Sequence, residues 1–261
     1  MSREASPSEG PTPEHLPGGS GGVWKVGRTV RRPTGPWTPA VHELLTWLAD
    51  EGLGGIPHVG GIDDEGREIV SYVEGRGVPV DDEVVLDDVL VEAVGWLRDF
   101  HDLVDSFRPD SPRIWRQTGE EPVELEQGQI ICHNDPGAYN WIIQSGHFVA
   151  MIDWDLAGPG DPLDDLAFLC WTAIPLYRDI GAAETARRLD LVVDAYAECG
   201  PLTLLDAVDR RMTMATERIA AGIERGDPGM LNLQTKGEPQ RTRDRVAAFR
   251  ERRAEIEAAL S

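Results

Sequence analysis

Hydrophobic positions follow two different periods along the chain, and the change from one to the other falls near residue 75. Before it, an amphipathic segment opening at Thr38-Pro39 predicts one helix, and short alternating runs predict strands at 23–26, 29–32, 58–60 and 67–73. After it, apolar residues at helical spacing predict helices over 82–103, 162–174, 182–199, 204–225 and 242–260. Between these helices, short strands are predicted at 129–132, 141–143 and 148–152. The pattern predicts an α+β chain with two lobes, a small antiparallel β lobe followed by a mostly helical lobe.

The distribution of glycine, proline and polar residues suggests where the parts of the chain begin and end. Residues 1–17 are polar, proline-rich and without periodicity, which predicts a flexible tail. Residues 18–75 form the predicted β lobe, and residues 76–261 form the predicted helical lobe. Because clefts between lobes commonly hold ligands, we expect a ligand site where the two parts meet.

Composition narrows the classes of function. The chain has 25 Lys and Arg against 46 Asp and Glu, a formal charge of −21. Such acidity disfavours nucleic acid and anionic membranes as partners. The apolar runs are too short to span a bilayer, and the N-terminal residues lack the apolar core of a signal peptide. The 3 cysteines are too few and too scattered for a disulfide framework or a zinc site. These features predict a cytoplasmic enzyme or binding protein, and they leave the oligomeric state open.

The densest group of polar side chains lies among the three central strands. The loop HNDPGAYN at 133–140 carries Asp135 and Asn140 near its two ends, and Asp153 follows the next pair of strands. Phosphoryl transfer needs a carboxylate that orients the attacking hydroxyl and accepts its proton, and oxygen ligands for magnesium. Asp135 is therefore the candidate base, with Asn140 and Asp153 as candidate magnesium ligands. Any one of the three alone would more often be a turn former, but the spaced set favours phosphoryl transfer.

The spacing of this loop resembles the protein-kinase catalytic loop H-R-D-x-x-x-x-N, and Asp153 stands where the metal-binding Asp of D-F-G would fall. With the run GDPLDDLA following at 160–167, the sequence resembles the aminoglycoside phosphotransferase family over roughly residues 16–260. The resemblance implies a protein-kinase-like fold that uses ATP and Mg²⁺ to phosphorylate a hydroxyl of a small molecule. It also implies that His133 and Asp165 support the catalytic loop.

In the first lobe, the resemblance implies a basic residue on the third strand that holds the α- and β-phosphates, paired with a glutamate on the next helix. Arg31 and Arg32 stand on that strand, and strand alternation lets only one of them point into the cleft. We expect Arg31 to do so, with Glu43 as the helix glutamate; a surface ion pair is the alternative. Arginine can bind phosphate bidentately, so it can replace the usual lysine.

Two further segments are expected to contact the nucleotide. The run 18–22, with Gly18 and Gly19 at its start, is a linker by composition and a nucleotide loop by resemblance. The residues Ser71, Tyr72 and Val73 occupy the position of the hinge whose backbone would contact adenine.

The acceptor is indicated mainly by charge. An aminoglycoside or another cationic molecule would suit the acidic residues beside the motif, which are Asp153, Asp155, Asp161, Asp164 and Asp165. The main alternative is a non-catalytic, kinase-like nucleotide-binding or immunity-type protein, because the first lobe is short and arginine replaces the strand lysine. A weaker alternative is a metal-dependent hydrolase. The intact set of base and metal ligands favours the enzyme, since a pure binding protein needs no base.

Overall fold

A computed structural model describes residues 12–16, 22–119 and 121–260 of the chain. The first part forms one antiparallel sheet of five strands: β1 (Glu14–His15), β2 (Trp24–Val26), β3 (Thr29–Arg32), β4 (Val59–Ile62) and β5 (Glu68–Ser71). Their order in the sheet is β1-β2-β3-β5-β4, so β3 is paired on both edges. The β3–β5 register places Arg32 opposite Glu68 and Thr29 opposite Ser71.

The segment 1–17 lies only partly within the described residues. Its positions 14 and 15 form β1, which pairs with β2 and so adds a strand to the sheet before residue 18. Gly18 and Gly19, the proposed start of a nucleotide loop, lie outside the described residues.

One helix accompanies the sheet. It is α1 (Thr38–Asp50), which carries Pro39 in its first turn, where the missing N–H costs no helical hydrogen bond. Its apolar face buries Leu44, Leu45 and Leu48 almost completely. α1 contacts both β4 and the turn that follows Asp153, so it links the sheet to the second lobe.

The described part of the second lobe contains six α-helices: α2 (Asp87–Val104), α3 (Pro162–Ala173), α4 (Ala182–Tyr196), α5 (Pro201–Glu224), α6 (Pro228–Thr235) and α7 (Gln240–Ala259). α3 packs on α5, α2 packs on α4, and α7 lies against both α4 and α5. α2 begins five residues later than its apolar pattern predicts, at Asp87. The short α6 has too few turns to show a helical period, and the sequence pattern misses it.

Two small antiparallel ribbons position the polar loop between the lobes. β6 (Ile130–Cys132) pairs with β9 (Gly158–Gly160), and β7 (Trp141–Gln144) pairs with β8 (His147–Met151). The loop 133–140 leaves β6 and enters β7, and Asp153 follows β8. Because the strands on either side of the loop are buried, its ends are fixed relative to each other.

These elements confirm the predicted fold class, a two-lobed α+β chain with a small antiparallel first lobe and a mostly helical second lobe. One contiguous apolar core runs from α1 through α2 to α7. Within the described residues, no helix has both the length and the apolar character needed to cross a membrane.

Candidate active site

Asp135 lies in the loop between β6 and β7, and two side chains of the same loop hold its carboxylate. The Tyr139 hydroxyl donates to Oδ1, and the Asn140 amide Nδ2 donates to Oδ2 at 3.0 Å. The same amide also donates to the backbone oxygen of Asp135 at 2.9 Å. A 3-10 turn over Ala138–Asn140 brings both partners back toward Asp135. The base candidate therefore has a defined orientation, and among the described residues no cationic side chain contacts its carboxylate directly.

This environment changes the proton affinity of Asp135. Burial raises its pKa from 3.8 to about 7, and nearby Asp153 adds to the effect, while hydrogen bonds from Tyr139 and Asn140 and the charge of Arg211 oppose it. A carboxylate with a pKa near neutrality can take up a proton that one with an ordinary pKa would leave on the donor. Burial also raises the pKa of Tyr139 well above its usual value, so its hydroxyl stays protonated and donates.

Asp165 on α3 braces the loop from the interior. Its side chain is 1% exposed, and its two oxygens accept the backbone N–H groups of His133 and Asn134, each at 2.7 Å. On α2, His101 approaches the same carboxylate with Nε2 at 3.2 Å, while its Nδ1 lies 2.7 Å from the Tyr196 hydroxyl. Asp165 therefore contacts the loop that the resemblance predicts it to support, and three helices fix its position.

The His133 ring makes two hydrogen bonds, one to the loop backbone and one to the backbone before Asp153. Its Nδ1 accepts the backbone N–H of Asp135 at 3.3 Å, and its Nε2 lies 3.2 Å from the backbone oxygen of Ile152. Burial lowers the pKa of His133, so the ring is neutral, and only the tautomer with hydrogen on Nε2 satisfies both contacts. The ring thus connects Asp135 to the residue before Asp153.

Asn140 and Asp153 both line the cleft between the sheet and the loop 133–140. The backbone N–H of Ile152 donates to the backbone oxygen of Asn140 at 2.9 Å, which sets the next residue, Asp153, beside it. Asp153 has a φ of 64°, a left-handed turn after β8, and its side chain is 46% exposed. Asn140 uses its amide hydrogens on Asp135, which leaves its amide oxygen as a ligand atom. Carboxylate and amide oxygens suit Mg²⁺, so the residues present fit this ion.

The structure corrects the expected orientation of the two strand arginines. Arg32, not Arg31, faces the cleft, where its guanidinium lies 3.0 Å from Asp153 and 2.9 Å from Asp155. Its Nε faces the buried carboxylate of Glu68. Burial alone would lower the pKa of Arg32, but these three carboxylates outweigh it and raise the value.

Arg31 lies on the other face of β3. There it donates to the Thr29 hydroxyl at 2.8 Å and lies 3.6 Å from Asp63. Alternation along the strand allows one arginine in the cleft, and the side on which α1 packs selects Arg32. The role predicted for Arg31 at the phosphates would therefore fall to Arg32.

Glu43 also differs from its expected place. It forms a two-pronged ion pair with Arg113, a residue of the loop after α2. The acidic partner of the cleft arginine comes instead from the neighbouring strand: Glu68 on β5 binds Arg32 on one oxygen and lies 2.9 Å from the His42 ring on the other. The family resemblance predicts this glutamate on the helix, at Glu43. In the structure, the β3–β5 register instead places Glu68 of the sheet opposite Arg32.

A cleft of about 530 Å³ opens between the sheet and the loop 133–140. Its volume is that of an ordinary small-molecule site, which commonly combines apolar walls with few polar groups. Apolar side chains from both lobes form its walls, and the predicted hinge residues Ser71, Tyr72 and Val73 lie along it. Arg32, Asn140 and Asp153 lie at the polar end of the same cleft. The described hinge and metal-ligand candidates thus share one space.

Tyr139 and Arg211 contact Asp135 and its loop, although the sequence analysis does not single them out. Tyr139 is inside the motif, where an aromatic residue immediately before Asn140 is a signal that could identify it. Arg211 on α5 is 5% exposed and donates to the backbone oxygen of Asn134 at 2.7 Å, while its guanidinium lies 4.6 Å from the Phe168 ring centre. Nothing in the local sequence connects a mid-helix arginine to a loop 77 residues away.

The acidic residues near the motif are engaged within the chain. Asp153 and Asp155 contact Arg32, Asp164 contacts Arg210 at 2.7 Å, Asp161 accepts the backbone N–H of Leu163, and Asp165 accepts the loop amides. Arginines therefore compensate part of this charge, at Asp153, Asp155 and Asp164, and the charge gives a cationic acceptor less support than the sequence suggests.

Comparisons with known proteins agree with this geometry. Residues 105–202 match the model of a family described as "Phosphotransferase enzyme family". The chain is 34% identical over 193 residues to a trifolitoxin immunity protein of Rhizobium leguminosarum bv. trifolii, an alignment that covers 69% of this chain and 71% of that protein.

Solved structures show the same fold at low identity. The gentamicin complex of APH(2")-IIa is 17% identical with a TM-score of 0.58, and the alignment covers 94% of this chain and 93% of that one. The amicoumacin kinase hAmiN, in complex with AMP-PNP, Ca²⁺ and Ami, is 14% identical with a TM-score of 0.60, and the alignment covers 95% of this chain and 89% of that one. At these identities the structures establish a shared protein-kinase-like fold.

Proposed function

Because this chain belongs to the phosphotransferase enzyme family, we propose that it transfers the γ-phosphoryl group of ATP to a hydroxyl of a small polar molecule. The observation that carries the proposal is the Asp135 carboxylate. It is half-buried, it is oriented by Tyr139 and Asn140, its pKa is raised to about 7, and it lies beside the polar end of the cleft. A binding protein has no use for a carboxylate with these properties.

The cleft gives the nucleotide a place with the right chemistry. Its apolar walls suit adenine, and the backbone at Ser71, Tyr72 and Val73 would offer hydrogen bonds to the ring edge. Arg32 at the polar end would bind the phosphates bidentately, and it lies within reach of Asp153. Asn140 and Asp153 would hold Mg²⁺, which neutralises phosphate charge when bound.

In the proposed reaction, Asp135 orients the acceptor hydroxyl and takes its proton. The hydroxyl oxygen bonds to the γ-phosphorus as the bond from phosphorus to the leaving oxygen breaks, so the products are ADP and a phosphate monoester. Tyr139 and Asn140 keep the carboxylate pointed at the reacting oxygen, and Asp165 holds the loop that carries all three. Most of the catalytic effect would come from this positioning and from charge compensation.

A non-catalytic immunity function is the second candidate, because the 34% identical relative is named as an immunity protein. The two candidates differ in whether Asp135 matters. Binding alone requires the cleft, whereas transfer also requires the base.

The test is product analysis with the full chain, Mg²⁺ and ATP labelled at the γ-phosphate, over a panel of hydroxyl compounds that includes aminoglycosides, neutral polyols and hydroxy acids. We expect label in a phosphorylated acceptor, with none transferred by Asp135→Ala that still binds nucleotide. Label found only in free phosphate would indicate a hydrolase. ATP binding with no turnover under any condition would favour the immunity-type binding protein.

A further inference from the structure

The surface beside Asp135 that faces away from the nucleotide cleft is built by α3 and α5. Tyr139 connects the two sides: its ring lines the cleft, and it also meets Phe168 of α3 edge-on, with centroids 6.5 Å apart. The guanidinium carbon of Arg211 on α5 lies 4.6 Å from the centroid of the same Phe168 ring, and the guanidinium donates to the backbone oxygen of Asn134. An acceptor that places a hydroxyl at Asp135 would therefore extend along this surface of aromatic rings and arginine.

The same face of α5 carries a second arginine farther from the base. Arg218 follows Arg211 by seven residues, which is two helical turns, or about 10 Å along the axis on nearly the same side. The two guanidiniums are close enough for their charges to interact. Partial desolvation and the charge of Arg211 lower the pKa of Arg218, while the charge of Asp164 raises it. Met214, one turn after Arg211, lies between them on this face.

Arg218 differs from the neighbouring arginines of α5, Arg210 and Arg211, because its guanidinium has no partner among the described residues. Arg210 contacts Asp164 at 2.7 Å, and Arg211 donates to a backbone oxygen. Among the residues that the structure describes, Arg218 forms no hydrogen bond or ion pair, and its side chain is exposed. Asp164, the carboxylate whose charge acts on Arg218, is already engaged by Arg210.

Three acidic residues near the motif, Asp153, Asp155 and Asp164, are paired with arginines, whereas Arg218 has no ion-pair partner among the described residues. An exposed guanidinium on the same face of α5 as Arg211 is suited to a planar carboxylate, which it can bind with two parallel hydrogen bonds.

We propose that the acceptor is a hydroxy compound that carries a carboxylate, which Arg218 binds while the hydroxyl lies at Asp135. The proposal rests on the proposed phosphotransferase function and specifies its substrate class. The carboxylate is remote from the reacting oxygen, so Arg218 contributes binding rather than chemistry, and its loss changes KM more than kcat.

The experiment uses matched probes and matched variants of the full chain. The probes are ω-hydroxy carboxylic acids of graded chain length, each with its primary amide, together with an aminoglycoside and a neutral polyol. The variants are Arg218→Ala, Arg218→Lys and the control Arg243→Ala. Arg243 is an exposed arginine of α7, outside the surface built by α3 and α5, and its substitution by alanine removes the same charge as Arg218→Ala.

We expect the acids to be better acceptors than their amides. Arg218→Ala should raise KM for the acids roughly tenfold or more, as for loss of a charged hydrogen bond, with kcat little changed. The amides should be unaffected, Arg218→Lys should fall between, and Arg243→Ala should behave as the parent chain.

Three results would overturn the carboxylate assignment: no preference for acid over amide, equal effects of Arg218→Ala and Arg243→Ala, or transfer only to the aminoglycoside or polyol. Hydrolysis of ATP that depends on Asp135, without transfer to any acid, also counts against it. In each of these cases the chain still turns over ATP. The absence of any ATP turnover contradicts the proposed function itself, so the two failures are distinguishable.

Discussion

Asp135 and Asp153 lie on the two sides of the proposed reaction, and the chain treats the two carboxylates differently. Asp135 is half-buried, its direct partners are a hydroxyl and an amide, and its pKa is raised to about 7. Asp153 is 46% exposed and lies 3.0 Å from the Arg32 guanidinium. Burial lets the Asp135 carboxylate exchange a proton near neutrality, whereas the more exposed Asp153 carboxylate lines the cleft beside a guanidinium. The same side chain is thus suited to two tasks by its surroundings.

The two regions are also held in different ways. The loop that carries Asp135 is held by buried hydrogen bonds from its backbone to Asp165, all within the second lobe. Asp153 is tied by an ion pair to Arg32 of the first lobe, so its contact crosses the cleft. A buried network resists displacement, while a partly exposed ion pair can exchange partners at little cost. We therefore expect changes in the loop to act on folding and turnover, and changes at the ion pair to act on nucleotide binding.

The largest effect is expected from Asp165→Ala, which removes the support of the loop. Two backbone N–H groups would lose their acceptor inside the protein, and His101 would lose its partner. The free energy of unfolding should fall by about 3–5 kcal/mol, measured by urea denaturation. Asp165→Asn, which keeps one acceptor oxygen, should lose less. Equal stability of Asp165→Ala and the parent chain would contradict the supporting role.

Arg32 and Arg31 provide the next test, since they differ only in the face of β3 that they occupy. Arg32→Gln should weaken Mg²⁺–ATP binding by roughly 10- to 100-fold, as for loss of a charged hydrogen-bonding group. Arg31→Gln should leave the affinity within error of the parent chain. Calorimetric titration checks both, and Arg32→Lys, which keeps the charge, should retain an intermediate affinity. Similar losses in the two Gln variants would show that orientation in the strand does not decide the role.

The raised pKa of Asp135 predicts a pH-dependent stability. The folded-state value of about 7 exceeds the ordinary 3.8, so between these pH values the folded state binds more protons and stability falls as pH rises. Asp135→Asn removes that cost. Without magnesium, the variant should be more stable than the parent by on the order of 1–2 kcal/mol at pH 8, with allowance for partial exposure, and the gap should close toward pH 4. Thermal unfolding across pH measures it, and a gap that widens on acidification would contradict the buried base.

Glu43 should show the smallest effect, because its ion pair with Arg113 lies away from the cleft. Both side chains are partly exposed, so Glu43→Gln should change the free energy of unfolding by less than about 1 kcal/mol and leave nucleotide affinity unchanged. Glu68→Gln is the matched variant at the buried partner of Arg32, and it should weaken nucleotide binding. Equal nucleotide affinities in the two variants would remove the distinction between them.

What the sequence could predict follows from how local each feature is. Asp135, Asn140 and Asp153 were identified together because their spacing along the loop and hairpin already determines that they lie near one another. The choice between Arg31 and Arg32 depends on which side of the sheet faces the cleft, and residues on one strand do not encode this. Arg211 and Glu68 reach the site from other elements, so only the packing of α5 and the β3–β5 register reveals them.

The direct test of the account compares Asp135→Asn with Asp153→Asn in one assay of turnover and one of nucleotide binding. We expect Asp135→Asn to lower kcat by roughly 10²- to 10⁴-fold, the usual contribution of a general base, with Mg²⁺–ATP affinity nearly unchanged. Asp153→Asn should instead weaken binding of Mg²⁺–ATP, with a higher magnesium requirement. If Asp135→Asn turns over ATP like the parent chain, or if both variants lose the same property, the division of labour between the two carboxylates is wrong.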